Sequence, residues 1–229
     1  MGTYKRLPRG REKPHDDFKD WTVHVIVWLR RHWMTAIEVV AVAVVVFAVV
    51  IGADYYSTHK AESAAEALYE LNAGGEKDEA RLAELSVIAD DYARTFAGKR
   101  ALMEEGDLLL KEGKDEEAVE RFRMLADGSR NLPALRIAAL HRLANAQLAA
   151  GDPAEAAKTY RKAAADPHNE IALLSELLAA ACLERANDYE GAVELYRRIV
   201  EDAGENDAYV RDVSEERLIW LTAKGYITG

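Results

Sequence analysis

The sequence predicts an all-α protein: one transmembrane helix, then an α-solenoid of antiparallel helix pairs closed by a C-terminal capping helix. Three observations predict it. Val39 to Ala53 is an unbroken apolar run within residues 34–53, MTAIEVVAVAVVVFAVVIGA. Beyond Tyr56 the chain is rich in Ala, Leu and Glu and lacks the alternating β-branched runs that mark strands. Within that region, three stretches lie over one another at identical spacing.

Residues 1–20 hold Pro8, Gly10 and Pro14 among mixed charges and read as an extended basic tail. Residues 21–33, WTVHVIVWLRRHW, are amphiphilic with aromatics at both ends. They suit a membrane interface or an extension of the spanning helix. Residues 34–56 form the spanning helix, because at about 1.5 Å per residue roughly twenty residues cross a hydrocarbon core of about 30 Å. Arg30, Arg31 and Trp33 on one side, and Tyr55 and Tyr56 on the other, stand where headgroup anchors belong. The alternative is a buried core helix, but this valine-rich run has no polar stripe to turn to water and the domain that follows has its own amphipathic helices. A cleaved signal peptide fits poorly, since the run is long and over thirty residues precede it. The segment therefore reads as a permanent anchor. Glu38 falls in its first turn, within reach of water or of Arg31, and reads as a boundary charge.

Charge sets the orientation. Up to Trp33 there are eight Lys and Arg against four Asp and Glu; Asp54 to Gly229 has 22 against 35. The side richer in Lys and Arg stays in the cytoplasm, so the expectation is N-terminus in and the large C-terminal part out. The tail's excess of positive charge suits anionic inner-leaflet lipids. The outer part carries a formal −13 over 176 residues, which repels a polyphosphate and excludes nucleic acid as a partner. Cys182 is the single cysteine, so no intramolecular disulfide forms, and it reads as a small buried hydrophobe.

The outer part divides at turn-forming clusters: 72–75, 113–115, 127–129, 151–153, 166–169, 187–188 and 203–206. Between Met34 and Leu71 the only breaker is Gly52, so the spanning helix is expected to continue into the first outer helix. Residues 57–98 read as a degenerate first helix pair, with helices at 61–71 and 77–93. Residues 99–211 hold three repeats. The first has Gly106, Gly113, Ala118, Phe122 and Leu125; the second Ala144, Gly151, Ala156, Tyr160 and Ala163; the third Ala180, Asn187, Ala192, Tyr196 and Ile199. In each, seven residues lead from a small residue to the turn, five more to an alanine, and four more to an aromatic. Close packing explains the pattern. The small residue is expected to face the alanine so that two backbones approach, and the aromatic to fill the gap to the next repeat. Asp152 is placed to cap a helix, with Pro153 at its first position and Glu155 completing a capping box. Asp188 caps likewise without the glutamate. Residues 212–229 hold the capping helix, SEERLIWLTA (214–223), with Leu218, Ile219 and Leu221 expected to cover the open face.

This pattern resembles the tetratricopeptide repeat (TPR), in which a small residue, a Gly-containing turn, an alanine and an aromatic recur at these intervals. The resemblance covers residues 99–202. It departs from the family at the early tryptophan position, held here by Leu102, Leu140 and Glu176, and in its periods of 38 and then 36 residues.

No catalytic set is present. The sequence has no Gly-rich phosphate loop, no H-E-x-x-H and no G-x-S-x-G. His24, His32, His59, His141 and His168 are scattered without ligand spacing, and Glu104-Glu105 and Asp115-Glu116-Glu117 read as solvated helix faces and starts. The expectation is a protein that is not an enzyme and holds no cofactor and no metal. Binding is expected on the inner face of the solenoid, lined by the first helix of each repeat: Arg100, Met103, Asp107, Lys111, His141, Arg142, Asn145, Leu174, Leu177, Ala181 and Arg185. The resemblance implies that an asparagine and basic residues on this face clamp a peptide carboxylate. Asn145 stands at the matching position with Arg142 nearby, while the companion lysines are mostly absent. A mixed apolar and polar groove for extended or helical peptide is the alternative.

The layout as a whole is a basic tail, one span and an acidic repeat domain. With the Ala-rich helix of residues 61–71 following the span without a break, it resembles the bacterial ancillary Sec-translocon subunit family. These are single-pass inner-membrane proteins with a periplasmic TPR-like domain. The resemblance implies an adaptor or holdase in the inner membrane, N-terminus cytoplasmic, working with the translocon and periplasmic chaperones. A second reading is a structural accessory subunit of a large inner-membrane complex, respiratory or photosynthetic.

Overall fold

The computed structural model describes residues 23, 25–28, 30–74 and 78–226, and among them every regular element is a helix. The basic tail, residues 1–20, lies outside the described residues. Within 21–33, residues 23, 25–28, 30 and 31 are helical and His32 forms a bend. The chain forms two compact units, Met1–Ser57 and Thr58–Gly229. Helix α1, Trp33–Gly74, runs unbroken for 42 residues. It contains one stretch long and apolar enough to cross a membrane, and none of that stretch is buried in the protein. The buried residues of α1 lie toward its C-terminal end: Ala64, Leu68 and Leu71.

In the second unit, the end of α1 packs on α2 (Asp78–Asp91) through Leu68, Leu71, Leu85 and Ile88. The helix pairs α3 (Phe96–Lys111) with α4 (Asp115–Gly128), α5 (Pro133–Ala149) with α6 (Pro153–Ala164), and α7 (Ala172–Arg185) with α8 (Tyr189–Asp202) follow. A 3₁₀ turn, Glu205–Asp207, then leads into α9, Ala208–Ala223. Each helix from α3 on packs on its sequence neighbour. The fold is thus a TPR-like solenoid of helix pairs.

The turns repeat the same geometry. Gly113, Gly151 and Asn187 all adopt left-handed backbone, with φ of 75°, 83° and 62°. At each, the next residue's N–H reaches back five positions: Lys114 to Leu109 (2.9 Å), Asp152 to Gln147 (2.8 Å), and Asp188 to Leu183 (2.9 Å). The turn residue itself bonds three back, which completes a Schellman motif. Gly225 closes α9 the same way at φ 75°. Asn187 is the one non-glycine residue in this conformation among the described residues. An alanine there is expected to lose about 1 kcal/mol, because asparagine's short polar side chain tolerates left-handed backbone better than a methyl does and its Oδ1 also accepts from the Tyr189 hydroxyl at 3.1 Å. Glycine should stay within about 0.5 kcal/mol of wild type, its freer unfolded chain offsetting the relieved strain. Urea titration of the three proteins checks this, and an alanine variant as stable as wild type contradicts it.

The N-caps follow the sequence in part. Asp152 accepts from the Glu155 N–H at 3.1 Å, and Asp188 from the Gly191 N–H at 3.0 Å. The expected reciprocal bond from Glu155 does not form, because its carboxylate takes Lys158 at 2.8 Å instead. Thr95 caps α3 by accepting from Gly98 N at 3.0 Å.

The aromatic of each repeat packs on the first helix of its own pair and shares a hydrophobic cluster with residues of the next element. A Cβ on Gly106 would lie 2.6 Å from the Phe122 ring, so the small residue makes room for the ring of its own repeat. Tyr160 and Tyr196 send their hydroxyls to Asn145 (2.7 Å) and Glu184 (2.6 Å). Glu105 is not solvated but buried, because it shares the inward face with Ala101, Leu102 and Gly106 and pairs with Arg121 of α4 at 2.9 Å. The capping helix begins at Ala208, earlier than the apolar cluster suggested, because Val210 and Ser214 are also buried. Ile219 is exposed, since burial on α9 follows 210, 214 and 221, and 219 is off that stripe.

Candidate partner-binding face

The first helices α3, α5 and α7 carry the sequence-predicted positions, and α9 continues the series. Polar bonds spanning about one repeat tie these helices together. Lys111 Nζ donates to Asp78 Oδ2 of α2 at 2.5 Å. Arg142 of α5 donates to Asp107 of α3. His141 Nε2 and Ser175 Oγ of α7 lie 2.8 Å apart. Arg217 of α9 donates to both carboxylate oxygens of Glu184 on α7, its Nε at 3.0 Å. These side chains bridge first helices about one repeat apart.

The predicted residues therefore divide. Asp107, Lys111, Arg142 and His141 serve the joints. Burial raises the Asp107 carboxyl above its ordinary pKa, with Arg142 opposing it. Burial lowers the His141 ring, which also meets Tyr160 edge-on at 5.2 Å. Arg100 Nε donates to Glu104 Oε1 at 3.0 Å, and Arg81 takes the other oxygen at 2.9 Å. Asn145 is exposed with its Oδ1 held by Tyr160. Met103 and Leu174 are half-buried and Leu177 is buried, each packed in the core. Arg185 is exposed and makes no ion pair with a described residue.

Leu177, Ala181 and Arg185 come together at the last joint. There α7, α8 and α9 enclose a cavity of about 470 Å³, lined also by Leu178, Tyr189 and Trp220. Arg217, pinned by Glu184, lays its guanidinium 4.5 Å from the Trp220 ring centroid. Tyr189 stacks on Tyr226 with centroids 4.0 Å apart. Apolar walls with one uncommitted guanidinium at the rim suit an apolar side chain beside an acidic group. The groove's α9 wall escaped the sequence reading. The signal for it was Trp220, an aromatic one residue before buried Leu221.

The Cys182 thiol and the Tyr160 phenol are buried in the core. Burial pushes Cys182 up to about 11 and Tyr160 up to about 12, so both stay protonated at neutral pH. Among the described residues no group of three His, Cys, Asp or Glu is placed to hold a metal.

A model of the tetratricopeptide repeat-like domain matches residues 27–168. The chain belongs to the tetratricopeptide repeat-like family. A second tetratricopeptide repeat model matches residues 147–214 of this TPR-like protein. Among solved structures it is similar to the nearly identical TPR-like repeats of a Podosopora anserina protein described as a kinesin light chain. The TM-score is 0.51 at 19% identity, covering 74% of this chain and 87% of that one. That likeness shows the fold. A search of the curated proteins finds no match. TPR-like repeats are a protein-interaction scaffold, and this chain's coarse role is that of an adaptor for protein partners.

Proposed function

We propose that this TPR-like protein is a membrane-tethered adaptor or holdase. It is anchored in the bacterial inner membrane by residues 34–56, N-terminus cytoplasmic, and holds polypeptide on the periplasmic side at the Sec translocon. The observation that carries the reading is the pairing of an unburied apolar stretch in α1 with an open groove at the end of the solenoid. A chain emerging from a translocon is unfolded and exposes apolar side chains, and the groove walled by Leu177, Leu178, Tyr189 and Trp220 offers them cover. Arg185 at the rim adds preference for an acidic neighbour. The excess of acid in residues 54–229 disfavours nucleic acid and holds tethered copies apart.

The full chain in nanodiscs is expected to slow the aggregation of an unfolded client diluted from denaturant. Leu178→Asp is expected to remove most of that effect while leaving the helical circular dichroism intact. A photo-crosslinker at residue 178 should recover secreted precursors and translocon subunits from native membranes. Stoichiometric recovery with a redox complex, with no effect on aggregation, favours the structural accessory subunit instead.

A further inference from the structure

A second groove lies far along the chain from the first. The end of α1 and the body of α2 enclose about 530 Å³, lined on α1 by Ala67, Glu70, Leu71 and Gly74 and on α2 by Ala83, Glu84, Val87 and Ile88. No residue of α3 or any later helix lines it. Its floor is core: Leu71 and Ile88 are buried in the hydrophobic cluster. Its wall is not, for Val87 is 60% exposed. The α1 side measures eight residues, about 12 Å or two helical turns.

Charge decides what fits. Glu62, Glu66 and Glu70 follow one another at four-residue spacing on α1, all exposed. Among the described residues no cation pairs with any of them. Like charges at this spacing repel along a helix, each pair costing a few tenths of a kcal/mol. At the joints of the solenoid the buried and half-buried acids are answered: Glu104 by Arg81 and Arg100, Glu105 by Arg121, and Glu184 by Arg217. Exposed acids such as Glu190 and Glu194 also lack an ion pair among the described residues, so what distinguishes Glu62, Glu66 and Glu70 is that their stripe reaches an apolar groove. The uncompensated stripe runs onto the groove through Glu70.

We propose that this groove docks a short amphipathic α-helix of another protein, apolar on one face and flanked by lysine or arginine. The partner's apolar face covers Val87, Leu71 and Ile88, and its cations neutralise Glu62, Glu66 and Glu70. A helix is the matching shape, because two antiparallel helices with an open valley between them take a third in the valley, as the solenoid's own pairs do. The site is separate from the α7–α9 groove and does not depend on the tether or on its topology.

The test is fluorescence anisotropy of the full chain in zwitterionic nanodiscs. The probe is a labelled helical peptide of about 14 residues with leucine on one face and lysine on the other. It is expected to bind with an affinity that falls as salt rises. Removing three charges with Glu62→Gln, Glu66→Gln and Glu70→Gln together should weaken binding roughly tenfold, a few-fold for each lost rim pair. Val87→Lys should weaken it by a similar factor. Removing three charges elsewhere, with Glu190→Gln, Glu194→Gln and Glu201→Gln, should change it by less than about twofold, by screening over that distance. Circular dichroism confirms that each variant keeps its helix content. Equal effects of the two triple variants, or equal binding of a leucine–glutamate peptide, overturn the proposal in favour of general charge attraction. No binding overturns it outright. A dimer in analytical ultracentrifugation that Val87→Lys breaks assigns the groove to a second copy and also overturns it.

Discussion

Phe122→Ala is expected to lower the unfolding free energy of the chain by about 3–5 kcal/mol, as for other fully buried phenylalanines. The ring has no accessible surface and lies across the backbone of Gly106, closing the first repeat. A neighbouring substitution sharpens the test. Gly106→Ala alone drives a Cβ to 2.6 Å from the ring, which forces ring or helix to move. Overpacking of that kind costs about 1–3 kcal/mol. In the Phe122→Ala background the clash is gone, and alanine's better helix propensity, about 0.5–1 kcal/mol over glycine, remains. The sign of Gly106→Ala should therefore invert between the two backgrounds. Denaturant unfolding of the four proteins in mild detergent gives the full cycle. Additive effects show that ring and glycine do not touch.

Arg121→Met is the second large effect, an expected loss of about 3–5 kcal/mol at neutral pH, the range for stripping one partner from a buried ion pair. Arg121 sends Nε to Glu105 at 2.9 Å, one Nη to Ser86 at 3.1 Å and the other to Asp90 at 3.3 Å. Glu105 is only 3% exposed, and its Oε2 has no partner among the described residues. Burial raises its pKa above 4.5, and Arg121 is the largest influence holding it down. A carboxyl with a folded pKa above its unfolded one favours the folded state when protonated. Its contribution is thus present below about pH 4.5 and lost as pH rises through the folded value. Removing Arg121 lifts the folded value further. The penalty of Arg121→Met should accordingly shrink as pH falls toward 4.5, and shrink at every pH in a Glu105→Leu background, where no buried charge remains. A penalty that does not change with pH would falsify the electrostatic account and leave lost packing of the long arginine stem as the cause.

These two sites mark the boundary between local pattern and packing. The left-handed turns at Gly113, Gly151 and Asn187, the caps at Asp152 and Asp188, and the order of helix pairs all follow from residues close together in the chain. The small–turn–alanine–aromatic spacing marked Gly106 and Phe122 as a repeat signature, but spacing alone did not show that the ring lies against Gly106 itself. Its direction depends on how two helices cross, and that angle is set by all the side chains between them. Glu105 shows the same limit. Beside Glu104 it reads as half of a solvated pair, yet one lies on the water side of α3 and the other on the core side. Arg121, sixteen residues on, resolves it.

The groove at α7–α9 was half visible in the same way. Leu177 and Arg185 share the periodicity of a first helix, whereas Trp220 joins them only because α9 folds onto α7 through the Glu184–Arg217 pair. By itself the sequence determined the apolar run of 34–53, the charge contrast across it, the all-helical class and the repeat register. These are sums or periodicities over neighbouring residues, and near-neighbour chemistry is sufficient for them. Only the tertiary structure decided which polar residues tie the joints and which remain uncommitted at the two grooves. That partition depends on which side chains arrive opposite one another from helices a whole repeat apart, and no local pattern encodes an interhelical distance.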